Sequence, residues 1–321
     1  MKAVIIFAII FTNSFAFNYA QTKQAQYFAN RMHIKYGFSK SYILNVLSKA
    51  KHLQSVLERY NGVRKHATDF SWHRYKSKIL IADSIALGKN FMRKNAKYLK
   101  KAKQRYGINK EIITGFIRVE SKFGMFGGEY SVLNALTTLA FNRNRKQRFF
   151  KEQLEKMFVL ARREHLSPLS LRGSFAGAMG CVQQVPSIYL KYGVDLDGDG
   201  RANPNSIADC IGSIAKFLHH QGWSNNLPTI VKADINGNGF RSLKSGYRSR
   251  YTLQTLANFG IAPKEPFYGN SAYYIRLYDN GAYDIYLGDR NYRIITRYNA
   301  SKAYATIIAL YAKAIKWIEG V

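Results

Sequence analysis

The chain has 321 residues, 47% of them hydrophobic and 14% aromatic, enough for a sizeable core and incompatible with a disordered or low-complexity protein. Lys and Arg number 49 against 19 Asp and Glu, a formal net charge of +30 that calls for an anionic partner without naming it.

The opening "MKAVIIFAIIFTNSFAFNYA" has one early lysine, an apolar run from Ala3 to Phe11, then small and polar residues. That is the plan of a signal peptide over residues 1–20, with cleavage after Ala16 or Ala20. The run is shorter than the roughly 20 residues a membrane-spanning helix needs. The expectation is a soluble exported protein, periplasmic or secreted, without a transmembrane anchor. Export argues against nucleic acid as the partner and leaves the anionic polymers and lipids of the cell envelope.

Residues 21–105 read as a helical N-terminal region, interrupted near "NGVRKHATDFSWHRYKSK". Within it, Lys89, Arg93, Lys97, Lys101 and Arg105 recur every four residues, a cationic ribbon beside an apolar stripe of Met92, Ala96, Leu99 and Tyr106. Like charges at that spacing repel by roughly 0.2–0.5 kcal/mol a pair. Residues 106–225 read as successive helices, the first opening on Asn109 as N-cap, followed by the small-residue segment "GSFAGAMG" and an acidic loop. Residues 226–290 change character: Tyr, Gly and Asn punctuate short alternating runs such as "YDIYLG", the mark of strands and hairpins. Residues 291–321 read as a further strand, "YRIITRY", and a helix returning to the core. The fold class is mainly α with a small β-containing section.

Two stretches carry chemistry. In "GINKEIITGFIRVESKFG", Ile113, Phe116 and Ile117 form a helical apolar stripe, and the next position on it is Glu120. An apolar surrounding and the negative end of the helix both raise a carboxyl pKa, which suits a general acid. A structural glutamate paired with an arginine is the competing reading. In "VDLDGDGRANPNSIAD", Asp195, Asp197, Asp199, Gly200 and the carbonyl of Arg201 match positions of an EF-hand loop. The twelfth position is Ser206, so Asp209 would close the site in a lengthened loop over 195–209. Calcium is the expected ion, in a structural role, because the aspartates repel one another without it. "DINGNG" is a turn, the seven histidines form no zinc pattern, and "GSFAG" is not a nucleophile elbow.

In order along the chain, "SWHRYKSK", "GFIRVESKFG", "NALTTLAFNRNRK", "GSFAGAMGCVQQVPS", "VDLDGDGRAN", "DCIGSIAKFLHHQGW" and "YRIITRYNASKAYA" resemble the family of the membrane-bound lytic murein transglycosylase B. The resemblance implies a lysozyme-like core over 106–225 between a helical and a small β domain. It also implies cleavage of the peptidoglycan glycan with 1,6-anhydromuramic acid as product, and Glu120 as single acid and base. It assigns glycan contact to Ser174, Gln183, Tyr298, Asn299, Tyr304 and Tyr75, and the stem peptide to Arg145, with Lys146 replacing a second arginine. Gln184 and Val185 stand where the family has an aromatic residue and a methionine. A hydrolytic muramidase and a non-catalytic peptidoglycan-binding protein remain as alternatives. Cys181 and Cys210 are either a disulfide in an oxidising compartment or two small buried hydrophobes.

Overall fold

In the computed structural model, which describes residues 17–62 and 70–316, half of the described α-helices begin where the chain offers a hydroxyl. Thr22 opens α1 (Lys23–Tyr36), Ser39 opens α2 (Lys40–Ser48), and α3 (Gln54–Asn61) follows without a side-chain cap. Ser71 caps α4 (Trp72–Ile79), which leads into α5 (Ala82–Lys94) and α6 (Ala96–Tyr106). Asn109 does occupy the N-cap of α7 (Lys110–Ser121) with an extended backbone, but its side chain makes no capping bond. Strand β1 (Tyr130–Ser131) runs into α8 (Val132–Phe141), then come α9 (Gln147–Arg163), β2 (Arg172–Gly173) and α10 (Pro186–Tyr192). Ser206 caps α11 (Ile207–His220).

The β section follows. It comprises β3 (Ile230–Ile235), β4 (Arg250–Thr252), the short α12 (Leu253–Asn258), β5 (Ile261–Pro263), β6 (Ser271–Asp279) and β7 (Ala282–Gly288). They form one antiparallel sheet in the order β4-β6-β7-β3-β5. Pairing Tyr274 with Leu287 and Ile275 with Tyr286 gives each central strand two buried faces. Ala272, Tyr274, Ile285 and Leu287 face a small core of the section's own, with Phe240 and Leu256. Ile275, Leu277 and Tyr286 face the main core instead. The sheet is therefore a layer between two cores, as the side-chain period of two requires.

The chain ends in α13 (Arg290–Tyr298) and α14 (Lys302–Ile315). The expected strand "YRIITRY" is thus helix α13. Asp289 accepts from the Asn291 N–H at its start, and Ile294 and Ile295 bury with Tyr292. The alternation of large and small residues there suits either period, and the cap decided it.

Packing does not follow chain order. Helices α1–α3 lie with α8 and α9, where the rings of Phe28, Phe38, Phe141 and Phe158 meet. Buried Glu155 on α9 ties this group together, accepting from Arg31 (2.5 Å), Lys35 (3.1 Å) and the Tyr36 hydroxyl (3.2 Å). Helices α4–α6 belong instead with α7 and α14. The expected unit 21–105 is accordingly divided between two packing groups. Gly115 lets α7 approach α14: a Cβ there would lie 3.1 Å from the Ile308 carbonyl oxygen.

Residues 1–16 of the expected signal segment lie outside the described residues. The remainder of that segment, expected to be removable as far as Ala20, is part of the fold. Tyr19 is 1% exposed, bonds His52 Nδ1 at 2.8 Å and packs on Phe141. Among the described residues no helix is long and apolar enough to cross a membrane.

Candidate active site

Helix α7 is buried along Ile113, Phe116 and Ile117, and the same stripe delivers Glu120 one residue before the helix ends. Lys122 and Phe123 both adopt left-handed backbone (φ 48° and 65°), turning the chain away immediately after the glutamate. Such conformations cost of order 1–3 kcal/mol each in non-glycine residues and cluster at functional sites. The Tyr304 hydroxyl of α14 donates to Glu120 Oε1. Glu120 keeps part of its surface open, yet loss of hydration pushes its pKa up to about 7, and the Tyr304 hydrogen bond only partly opposes this.

Three phenols surround the carboxyl. Burial first, and then the Glu120 charge, push Tyr75 up to about 12 and Tyr298 and Tyr304 well above the ordinary phenol value. All three are neutral donors. Arg118, two residues before Glu120, turns elsewhere: its Nε donates to Ser84 Oγ at 2.8 Å and its Nη2 to the Lys78 carbonyl at 3.2 Å. Among the described residues Glu120 has no ion pair, which removes the reading of a glutamate neutralised by arginine. Neither Glu111, in the first turn of α7, nor exposed Glu129 bears on the carboxyl, which burial and the Tyr304 hydroxyl set.

The phenols are placed by separate elements. Helix α4 carries Tyr75 and is fastened to the β6–β7 hairpin: Trp72 Nε1 donates to Asp284 (2.9 Å), Lys76 to Asp279 and Asp284, and His73 meets Asp279. Tyr298, the last residue of α13, donates to the Val182 carbonyl and sits edge-on to Phe116 and Phe217, with ring centroids 5.1 and 5.0 Å away. Those two phenylalanines were not among the expected site residues, although Phe116 lies on the apolar stripe itself. Asn299 is exposed just beyond α13.

Gln183 takes left-handed backbone (φ 47°) and its Nε2 donates to the carbonyls of Gly127 (3.1 Å) and Gly180 (2.8 Å), tying the loop after α7 to the turn 180–182. The Ser174 hydroxyl accepts from the N–H groups of Ala176 and Ala178 and shapes the turn after β2. Gln184 is buried with its side-chain amide close to the Tyr298 hydroxyl, without a well-formed hydrogen bond among the described residues. Arg145 and Lys146 sit on the α8–α9 connection against the rings of Tyr60 and Phe149, in the helical group rather than with Glu120.

The loop 195–209 gathers its carboxylates as expected, with one exception. Oxygens of Asp195, Asp197 and Asp209 lie within 4.8 Å of one another, a spacing that suits a hard cation with oxygen ligands. Gly198 and Gly200 supply the left-handed turns (φ 90° and 86°), and their N–H groups donate to Asp195. Burial pushes the Asp195 carboxyl up, and these donors more than offset it, leaving it below its ordinary range. Asp209 is fully buried on α11 and accepts from the N–H groups of Leu196 and Asn203, both at 2.8 Å, so it clasps the loop from inside. Burial pushes it up to about 6. Asp199 stays outside the cluster and accepts from the Arg201 N–H. Cys181 and Cys210 form a disulfide with Cα atoms 6.1 Å apart, joining the turn before Gln183 to the residue after Asp209.

The family described as Transglycosylase SLT domain matches residues 20–313. The membrane-bound lytic murein transglycosylase B of Escherichia coli K12 is 35% identical over 307 residues, 93% of this chain and 84% of that protein. The structure of the E. coli lytic transglycosylase Slt35 in complex with calcium superposes with a TM-score of 0.86 at 35% identity, covering 94% of this chain and 95% of that one. The soluble lytic transglycosylase SltB1 of Pseudomonas aeruginosa gives 0.84 at 32% identity, over 91% and 98%. The architecture is therefore the lysozyme-like one, a mainly helical body with a small antiparallel sheet.

Proposed function

Because the chain belongs to the transglycosylase SLT family, whose members are peptidoglycan lytic transglycosylases, we propose that it cleaves the N-acetylmuramic acid–N-acetylglucosamine bond by intramolecular transfer, with Glu120 as the single acid and base. The protonated Glu120 carboxyl gives its proton to the glycosidic oxygen as the bond from that oxygen to the muramyl C1 breaks. The carboxylate left behind takes the proton of the muramyl C6 hydroxyl, whose oxygen closes onto C1. The products are an N-acetylglucosamine end and a 1,6-anhydromuramyl end. No water is consumed and Glu120 ends protonated, ready for the next bond.

The observation that carries this reading is a carboxyl at the end of a buried apolar stripe, hydrogen-bonded by a neutral phenol and, among the described residues, by no second acid, where burial pushes its pKa up to about 7. A two-carboxylate glycosidase needs a partner acid across the sugar; a single group that both gives and takes a proton is best served by a pKa near the working pH. The Tyr304 hydroxyl stabilises the carboxylate formed halfway. Tyr75 and Tyr298 offer rings and hydroxyls to the glycan, and Ser174, the Gln183 Oε1 and Asn299 offer polar contacts to its hydroxyl and acetamido groups. Arg145 and Lys146, remote from the carboxyl, suit the carboxylates of a stem peptide. Calcium, when bound by Asp195, Asp197, Asp209 and the Arg201 carbonyl, would offset the mutual repulsion of the aspartates. The substrate places the working protein outside the cytoplasm, in keeping with a removable N-terminal segment.

The test is mass spectrometry of the products released from purified peptidoglycan by the protein and by Glu120→Gln. Anhydromuramyl ends, absent with the variant, are expected. Reducing ends would instead make water the acceptor and the protein a muramidase. Release by neither form, with both bound to the sacculus, would leave a wall-binding protein.

A further inference from the structure

Lys89 and Arg93 of the cationic ribbon, with other bases of α5 and α6, have no part in the chemistry proposed at Glu120 and line a concavity, whereas Lys97, Lys101 and Arg105 lie outside it. A groove of about 990 Å3 runs between α5, α6, the N-terminal turn of α7 and the residue after α14. Lys89, Arg93, Lys100, Lys103, Lys110 and Lys316 line it, and among the described lining residues Glu111 is the one carboxylate. Its floor is Ala86 and Ala96, over the buried Met92 and Leu99.

The lining selects between anionic partners. Sugars are held by aromatic faces, hydroxyls and amides, and among the described residues that line this groove Asn109 alone offers one of them. A polyanionic glycan would leave its hydroxyls unpaired over Met92 and Leu99. A phospholipid surface matches both halves: phosphates meet the ammonium and guanidinium heads, while the side-chain stems and the apolar floor face the boundary with the acyl chains. Another basic hollow, between α1 and α9, is a poorer fit. There Glu155 already engages Arg31 and Lys35, and Glu152 adds a second carboxylate.

We propose that this groove docks the protein on an anionic phospholipid bilayer. The groove takes the N-terminal end of α7 and Glu120 stands near the C-terminal end, roughly 15 Å along the helix at 1.5 Å per residue. Docking there leaves the cleft free to face the wall.

The experiment is co-sedimentation of the full chain with vesicles of phosphatidylcholine, with and without a third of phosphatidylglycerol. Any effect of the apolar N-terminal run is common to all samples and cancels in the comparison. Binding is expected only with phosphatidylglycerol present and falls with added salt. A lysine at such a surface is worth roughly fivefold in affinity, so Lys100→Gln with Lys103→Gln should weaken binding about 30-fold. Both are exposed, and the melting temperature should not move. Lys23→Gln with Lys151→Gln, the same charge change at the other hollow, should leave most of the binding intact. Equal loss from the two pairs would overturn the proposal in favour of diffuse charge. So would binding indifferent to phosphatidylglycerol, or a loss seen on purified sacculi but not on vesicles.

Discussion

Glu120 keeps its proton to about neutral pH because α7 ends where the apolar stripe does, leaving its carboxyl among phenols rather than water or cations. The same arrangement costs stability. A carboxyl whose pKa rises from 4.5 unfolded to about 7 folded binds its proton more tightly in the folded state between those values. Its contribution is fully favourable below about pH 4.5 and is lost as pH rises through 7, where the folded state must hold a poorly hydrated charge. Glu120→Gln keeps the shape and removes the charge. It should therefore raise the melting temperature relative to the parent at pH 8, by up to about 3 kcal/mol of stability, with the gain vanishing below about pH 4.5. Thermal denaturation of both proteins across that range is the check; a gain that is the same at every pH would mean that the carboxyl is hydrated and its pKa ordinary. The local part of this site was legible in sequence, since stripe and acid both fall on one helix. The phenols were not placed by any local pattern, because Tyr75, Tyr298 and Tyr304 come from three helices that meet only in the folded core.

At the scale of elements, short-range signals were read more faithfully than long-range ones. The carboxylates of the 195–209 loop and the strands of the β section follow local turn chemistry and period, and they form as expected. The run 292–298 did not, because its capping aspartate lies outside the pattern that suggested a strand. Nor could pattern show that α1–α3 would leave α4–α6 and join α8 and α9, a choice made by aromatic packing across more than a hundred residues. The N-terminal turn Tyr19–Gln21 belongs to that same packing. Deleting a buried aromatic side chain costs about 3–5 kcal/mol, so processing after Ala20 would strip the helical group of one of its largest buried rings. N-terminal sequencing of the exported protein should therefore find Phe17 first. A mature chain starting at Gln21 with unchanged stability would show that the Tyr19 contacts with His52 and Phe141 contribute nothing.

For the whole molecule, the acidic loop and the turn that carries Gln183 are one mechanical unit. The Cys181 N–H donates to the Pro204 carbonyl at 3.0 Å, and a Cβ on Gly180 would lie 1.8 Å from that same oxygen, so loop 195–209 abuts the turn that carries Gln183. The disulfide closes the same junction with 29 residues of sequence separation, a loop for which chain entropy alone suggests about 3–4 kcal/mol. Calcium bound at the loop, as proposed, would act on the folded state only, and by linkage would stabilise it by about 2.7 kcal/mol at a hundredfold excess over Kd. Chelation should then lower the melting temperature by several degrees, since about 1 kcal/mol moves a chain near this size by roughly 2–4 °C. It should also raise KM for peptidoglycan more than it lowers kcat, because Gln183 lies on the loop side of the cleft while α7 and α14 hold Glu120 and Tyr304 independently of the loop. Melting curves and steady-state kinetics with calcium, with chelator, and with calcium restored would decide it. An unchanged melting temperature would remove the ion from the fold, and a fall in kcat at constant KM would mean that the loop acts on the acid itself rather than on the binding of the glycan beside it.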